Sequence, residues 1–452
     1  MKKESLAALA ALSLLPATVI APQASAAMCS DFSESGSFVT DTSPSTGLSS
    51  LSSMSSSSSK PAPSRENLSN KNQRIIKSGP TQIMNLVTGA GSPSRTDTKF
   101  DIAGTDLGIA YDDGQGHTYL AFGDTFDCHS EGNGWRSNVL TRTTDKNYGD
   151  GLRIEEALGR GGWSTSTEAR EFIPSMKSDP KNPDGERTTI PTAGIVVNGV
   201  HYIDYMSVRQ WKADNPNLDA GWVTNYAATM KSTDGGKTWK VDPSSTRTNE
   251  DWGWELNSSI PGGHNYRPGF ENLQQSAFLQ DGEYVYRYST PNSRAGSAYL
   301  SRVKKEDFPR EDAFEYYADG SWVDDPAQAT VVLDGKVSEL SVAYNDYLGK
   351  YVTMYGVEGQ GIVMRTANSP EGPWSPRRML VSEKTTKVIA GAPLNDTYAP
   401  YIMPNQDDQH LYYTLTSWRD YNTMLMRTDL DFVGENMEND DHIEVEDIVS
   451  QP

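Results

Sequence analysis

Five stretches of this 452-residue chain share one pattern, and that pattern limits the fold more than any other feature. They are "GIAYDDGQGHTYLAFG" from 108, "GIVVNGVHYIDYMS" from 194, "SAFLQDGEYVYRYS" from 276, "SVAYNDYLGKYVTMY" from 341 and "PYIMPNQDDQHLYYTLT" from 400. Each reads as two strands rich in Tyr, Val, Ile and Thr around an Asp/Asn/Gly turn, and each is followed by a third strand of similar character, such as "NVLTRTTD" or "NTMLMRTDLD". Helical periodicity is scarce beyond residue 73. Repeated small antiparallel sheets of uneven spacing suit blades around an axis, which protect their edges and share a core, so the expected fold is all-β, a five-bladed β-propeller. The second copy also holds "STDGGKTW" from Ser232 to Trp239, an Asp-box pattern expected to form a blade turn without a catalytic role.

The flanks read differently. Lys2 and Lys3 precede an apolar run too short to span a bilayer, which ends in "PQASAAM". Residues 1–27 are therefore expected to be a secretory signal peptide, and the product secreted or envelope-associated. Residues 28–72 are dominated by Ser and cannot bury enough apolar surface to offset their ordering entropy, so they are expected to form a disordered leader. The propeller is expected over 73–436, followed by an acidic tail over 437–452. No later run has membrane-spanning length. Cys29 and Cys128 are the two cysteines, and an exported compartment permits a disulfide between them as readily as two free thiols.

Acidic residues outnumber basic ones by 60 to 40, a balance that repels phosphate backbones and makes nucleic acid a poor partner. Nucleotide-binding glycine loops, a nucleophile elbow and His/Cys clusters at metal-ligand spacing are missing from the sequence. No cofactor is called for, and an axial calcium is left open. A neutral glycan fits better, since 22 Tyr and 10 Trp supply flat faces for sugar rings. Trp135, Trp163, Trp211, Trp222, Trp252 and Trp418 fall in expected loops, whereas Trp239, Trp322 and Trp374 read as blade packing.

The first hairpin carries the sharpest chemical signal. If pairing runs outward from Gly114-Gln115-Gly116, Tyr111 opposes Tyr119, Ile109 opposes Ala121, and Asp106 faces Asp124. Like charges at facing positions are destabilising and no turn or cap requires them. Glycoside hydrolysis does use two carboxyl groups roughly 5 to 9.5 Å apart, one protonated and one ionised, and mutual repulsion helps keep one protonated. Aligning the five copies places Asp106, Thr192, Gln274, Glu339 and Tyr398 at one position, a ring expected to face the axial mouth. Glu339 is thereby a third candidate carboxylate, as acid, as a modulator of the pair or as a ligand for hydroxyls. Arg136 and Asn138 after the hairpin, His264 in "PGGHNYRPGF" and the loop residue Trp418 complete the candidate substrate contacts.

Several of these stretches resemble one family in order: "GTDLGI", "FGDTF" followed by "WRSNVL", "SELSVAYNDYLGKYV", "MRTANSPEGPWS" and "TSWRDYNTMLM". They are similar to the bacterial family catalogued as domain of unknown function 4185 and as glycoside hydrolase family 183, over about residues 78 to 435. The resemblance implies a five-bladed propeller and cleavage of internal α-D-arabinofuranosyl linkages in envelope arabinan, with the family's paired aspartates at Asp106 and Asp124. The alternatives are hydrolysis of another furanoside such as L-arabinan, or a propeller that binds glycan or protein without catalysis.

Overall fold

The computed structural model describes residues 81–431 apart from 128–133, 180–181, 183–184, 219–220, 251–258, 383–396, 405–408 and 419–420. The signal, leader and tail expected from the sequence, Trp252, and both Cys29 and Cys128 lie outside the described residues. Among those described, no helix is long and apolar enough to cross a membrane.

Five antiparallel sheets form the five blades. Their innermost strands are Gly104–Asp112, Thr188–Val197, Gln275–Asp281, Leu340–Asn345 and Thr397–Ile402, and each neighbours the next around the axis, the last returning to the first. Outside these lie Thr118–Phe126 and Val139–Thr143 in blade 1, Val200–Trp211 and Trp222–Ser232 in blade 2, and Tyr284–Thr290 and Ala298–Lys304 in blade 3. Blade 4 continues with Lys350–Val357 and Gly361–Ala367, and blade 5 with His410–Ser417 and Asn422–Asp429. The five repeats of the sequence are these five blades.

The ring is closed by a strand outside the repeats. Thr81–Leu86 pairs with Asn422–Asp429 as the outer strand of blade 5, and the Thr81 and Thr428 hydroxyls meet at 2.9 Å. Strands from the two ends of the domain thus share one ladder, so neither can leave without exposing the other's edge.

Alternation along each strand sends apolar side chains into the gaps between blades. Ile109, Tyr111, Ile203 and Met230 pack together between blades 1 and 2, and Tyr288, Leu300, Val342 and Tyr355 between blades 3 and 4. Each such side chain contributes about 1.5–3 kcal/mol by leaving water. The Asp-box is a turn, as expected: Asp234 accepts from the Lys237 and Thr238 amides, while Gly235 and Gly236 take positive φ. Its Gly235 carbonyl accepts from Tyr119 and from Trp163 Nε1, tying blade 2 to blade 1. Trp163 is therefore blade packing and not a loop residue, and Trp211 and Trp222 face each other from adjoining strand ends at 5.5 Å.

The first hairpin keeps the expected register from Asp112–Thr118 to Ile109–Ala121, and regains it at Thr105–Thr125. Between these, Leu107 pairs with Phe122 in a bulge where Leu107 has φ 70° and Gly108 φ 95°. Left-handed backbone at a leucine costs roughly 1–3 kcal/mol. Blade 2 breaks register at the matching place, between Pro191 and Ala193, and blade 5 between Tyr398 and Tyr401, with Ala399 at φ 58°. Three inner strands thus leave regular pairing at the same end of the axis, the end that carries Asp106, Thr192 and Tyr398.

Candidate active site

Asp106 and Asp124 stand on paired strands, one step from the hydrogen-bonded Thr105–Thr125 pair, whose hydroxyls meet at 2.7 Å. Both keep partial solvent contact and are otherwise enclosed by protein. Their settings are opposite in character. Asp106 Oδ2 accepts a 2.9 Å hydrogen bond from the Tyr398 hydroxyl, while Oδ1 is buried without a hydrogen-bond partner. That oxygen lies over Gly123, where a Cβ would come within 2.3 Å of it. Burial, then the negative charge of Asp124, raises the Asp106 pKa to about 8, against the smaller opposing effect of Tyr398.

Asp124 Oδ1 instead accepts two hydrogen bonds, from Trp135 Nε1 at 2.8 Å and Thr188 Oγ1 at 2.9 Å. Lys177 sits nearby, its ammonium 4.8 Å from the centre of the Trp135 ring and 2.8 Å from Glu171. Burial still raises Asp124, but these donors and the Lys177 charge hold it to about 6. At neutral pH the pair therefore carries one protonated carboxyl, on Asp106, and one carboxylate, on Asp124.

Glu339 is buried and forked by Arg294: Nη2 reaches Oε1 at 2.7 Å, and Nε reaches both oxygens at 3.1 Å. Burial opposes ionisation, but the Arg294 charge and hydrogen bonds prevail and hold the carboxyl below its ordinary range. Glu339 is thus a fixed anion whose charge adds to the upward shift of Asp106. The Arg294 guanidinium lies over Trp222, Tyr398 and Trp418 at 5.2, 4.9 and 5.6 Å, so one cation joins blades 2, 3, 4 and 5. Trp418 stacks on Tyr398 at 4.7 Å and leaves 38 % of its surface exposed beside the acid pair's partner.

Of the aligned ring, Asp106, Thr192, Glu339 and Tyr398 do converge at one end of the axis. Gln274 does not. It is wholly buried, accepts from Thr224 and donates to the carbonyls of Arg247 and Phe270, because blade 3 is offset by one residue and puts Gln275 and Ser276 on the axial wall. Arg136 is also corrected: it is buried and fastens the carbonyls of Ala169 and Asp101. Asn138, fully buried, staples residues 172–173 and Thr189 with both ends of its amide. His264 bonds the Glu250 carbonyl, on a loop beside the outer strand of blade 2.

Sequence reasoning missed Arg294, Thr188, Lys177 and Tyr421, a buried tyrosine near enough to Asp106 for the carboxyl's charge to add to burial in raising its pKa. A signal existed for part of this set. Trp135, Trp222, Arg294 and Trp418 all lie in, or at the end of, the connection between the second and third strands of a blade, so aligning those connections would have grouped them. Among the described residues, no cluster of three or more His, Cys, Asp or Glu is placed to hold a metal ion.

The fold and site define a five-bladed β-propeller with an unequal carboxyl pair and a fixed Arg–Glu ion pair at one end of its axis. The match of residues 91–427 to one family model places the chain more narrowly. It belongs to the family described as domain of unknown function DUF4185. It is 25 % identical over 356 residues, 75 % of this chain and 86 % of the relative, to notoamide biosynthesis cluster protein J of an Aspergillus species. Similar solved structures include the Podospora anserina α-L-arabinofuranosidase PaAbf62A, at TM-score 0.40 and 14 % identity over 76 % of this chain and 94 % of that one. Bacillus subtilis arabinanase Arb43A is similar at TM-score 0.38 and 12 % identity, over 72 % and 95 % of the two chains.

Proposed function

We propose that this protein is an exported glycoside hydrolase that cleaves internal α-D-arabinofuranosyl linkages of cell-envelope arabinan. The observation that carries the hydrolase reading is the unequal pair: Asp106 with a buried oxygen lacking a donor, and Asp124 with one oxygen accepting two. An anion needs donors, so Asp124 stays ionised; a carboxyl that lacks one on an enclosed oxygen favours its proton, so Asp106 stays neutral.

Glycosidic cleavage uses that difference directly. The Asp106 proton passes to the glycosidic oxygen as the bond to the anomeric carbon lengthens, and the leaving sugar departs as an alcohol. Asp124 supplies the electron pair on the other side, by accepting a proton from an attacking water or by bonding to the anomeric carbon itself. Tyr398 then faces an Asp106 that has become an anion, and its hydroxyl stabilises that charge until the carboxyl is reprotonated. Glu339, locked by Arg294, keeps the Asp106 proton in place before the reaction without exchanging one itself. The exposed face of Trp418 offers a platform for a neighbouring sugar ring.

The arabinan assignment rests on the family resemblance of "GTDLGI", "FGDTF" and the motifs that follow them. Digestion of purified mycobacterial-type arabinogalactan beside plant arabinan tests it, with product oligosaccharides resolved by chromatography. Release from the former is expected. Release from plant arabinan alone replaces the substrate, and binding of arabinogalactan without any product replaces the hydrolase with a glycan-binding propeller.

A further inference from the structure

The chain between blades 1 and 2 turns at residues 175–178, and the turn is fastened on both sides of Lys177. On one side the Met176 amide donates to Glu186 Oε1 at 2.8 Å; on the other the Ser178 amide donates to the Glu186 carbonyl at 2.7 Å. The Ser178 hydroxyl accepts from the Glu186 amide, and the Ser178 carbonyl accepts from Arg187 Nη1. Glu186 is buried, and its second oxygen accepts from Ser207 Oγ at 2.6 Å. The turn is thus anchored to blade 2 just ahead of Thr188, one of the two donors to Asp124. Lys177 itself has φ 48°, in the left-handed region that lysine seldom enters.

This backbone aims the lysine at one place. Lys177 Nζ donates to the Trp135 carbonyl at 2.9 Å, pairs with Glu171 Oε2 at 2.8 Å and lies 4.8 Å from the centre of the Trp135 ring. Glu171 in turn accepts from the Ser137 amide at 2.9 Å and from the Ser175 amide at 3.2 Å, so it holds the chain beyond Trp135 and the chain before Lys177 together. Trp135 is therefore gripped at its carbonyl and covered on one ring face, while its N–H donates to Asp124 Oδ1 at 2.8 Å. An indole has a single donor lying in the ring plane, so whatever holds the ring holds that hydrogen bond.

Building on the hydrolase reading, we propose that Lys177 is a positioning residue: together with Glu171 it clamps the Trp135 indole so that its N–H stays on Asp124, and Trp135 serves that carboxylate rather than a sugar ring. The two charges of the clamp act on Asp124 in opposite senses, Lys177 favouring its anion and Glu171 opposing it. Asp106 on the neighbouring strand and Tyr421 of blade 5 are also within electrostatic reach of Asp124, and neither belongs to the turn. Substitutions in the clamp leave both in place.

The test reads Asp124 directly, in the full protein labelled with carbon-13 at the aspartate carboxyl carbons. The Asp124 resonance is assigned by its loss in Asp124→Asn, and its titration midpoint is followed between pH 4 and 9 beside the pH profile of kcat/KM. Lys177→Met, which keeps a stem over the ring and removes the charge, is expected to raise the midpoint by about 0.5 of a pH unit or more and to carry the acid limb with it. Its kcat should fall about 10-fold, and Lys177→Arg should restore both. Trp135→Phe, which keeps a flat ring and removes the N–H, is expected to raise the midpoint with Lys177 still present. Glu171→Gln is expected to lower the midpoint although it also loosens the clamp and lowers kcat. Lys177→Met and Glu171→Gln moving the midpoint in the same direction, or leaving it where it is, would overturn the proposal whatever the wild type hydrolyses. Opposed shifts in a wild-type protein that cleaves no glycan would instead overturn the hydrolase and leave the hold of Lys177 on Asp124 standing.

Discussion

The Tyr398 hydroxyl donates to Asp106 Oδ2 at 2.9 Å, joining residues 292 positions apart in the chain. The bond exists because blade 5, completed by the strand Thr81–Leu86, is set beside blade 1. Closure of the ring and the state of the acid are therefore one structural fact.

Removing that donor has a defined consequence. Tyr398 favours the ionised form of Asp106, so Tyr398→Phe is expected to move the alkaline limb of the pH–rate profile upward from about 8. The acid limb, set by Asp124 near 6, should stay in place. A profile of kcat/KM between pH 5 and 10 reads both limbs, and an unmoved alkaline limb removes Tyr398 from the account.

Asp106 also links activity to stability. Its pKa in the folded protein lies above its unfolded value of 3.8, so the folded state holds the proton more tightly. Its contribution to stability consequently falls as pH rises from about 4 to about 8, and is constant beyond. Asp106→Asn, which is neutral throughout, is expected to abolish turnover yet raise Tm relative to wild type at pH 8, with little difference at pH 4. Thermal unfolding at the two pH values checks the sign.

Gly123 tests the placement of the same carboxyl without altering it. A methyl group there meets Asp106 Oδ1 at 2.3 Å, and the side chain must turn away. Gly123→Ala should lower kcat by 100-fold or more, the cost of moving a reacting group by about an ångström, while Tm falls only slightly. Equal loss of Tm and activity would point to general misfolding.

Asn138 separates scaffold from substrate contact. Its side chain satisfies the Phe172 and Ile173 amides and the Ile173 and Thr189 carbonyls. Asn138→Ala is expected to cost about 3 kcal/mol of stability, read from urea unfolding, and to leave KM of the folded protein unchanged.

How much of this was legible beforehand differs from residue to residue. The hairpin register near Gly114 and the Asp-box turn depend on neighbours a few positions away, so their residues announce them. Arg136, Asn138 and Gln274 read as substrate contacts because a polar side chain near an acid looks the same in sequence whether it faces a cleft or a buried carbonyl. Arg294 gave no signal of its own, since its partners come from three other blades.

Period-two alternation and turn chemistry are local, so the fivefold repeat and the inner strands could be read from the residues alone, whereas Asp106 falls in the register break between the Thr105–Thr125 and Leu107–Phe122 pairs and is not the ladder partner of Asp124 that regular pairing predicts. Tertiary structure alone decided which aspartate keeps its proton, that Glu339 is held as an anion, and which strand closes the ring. Those outcomes depend on burial and on charges brought together from distant blades, and the energy of a carboxyl group is fixed by what surrounds it in space.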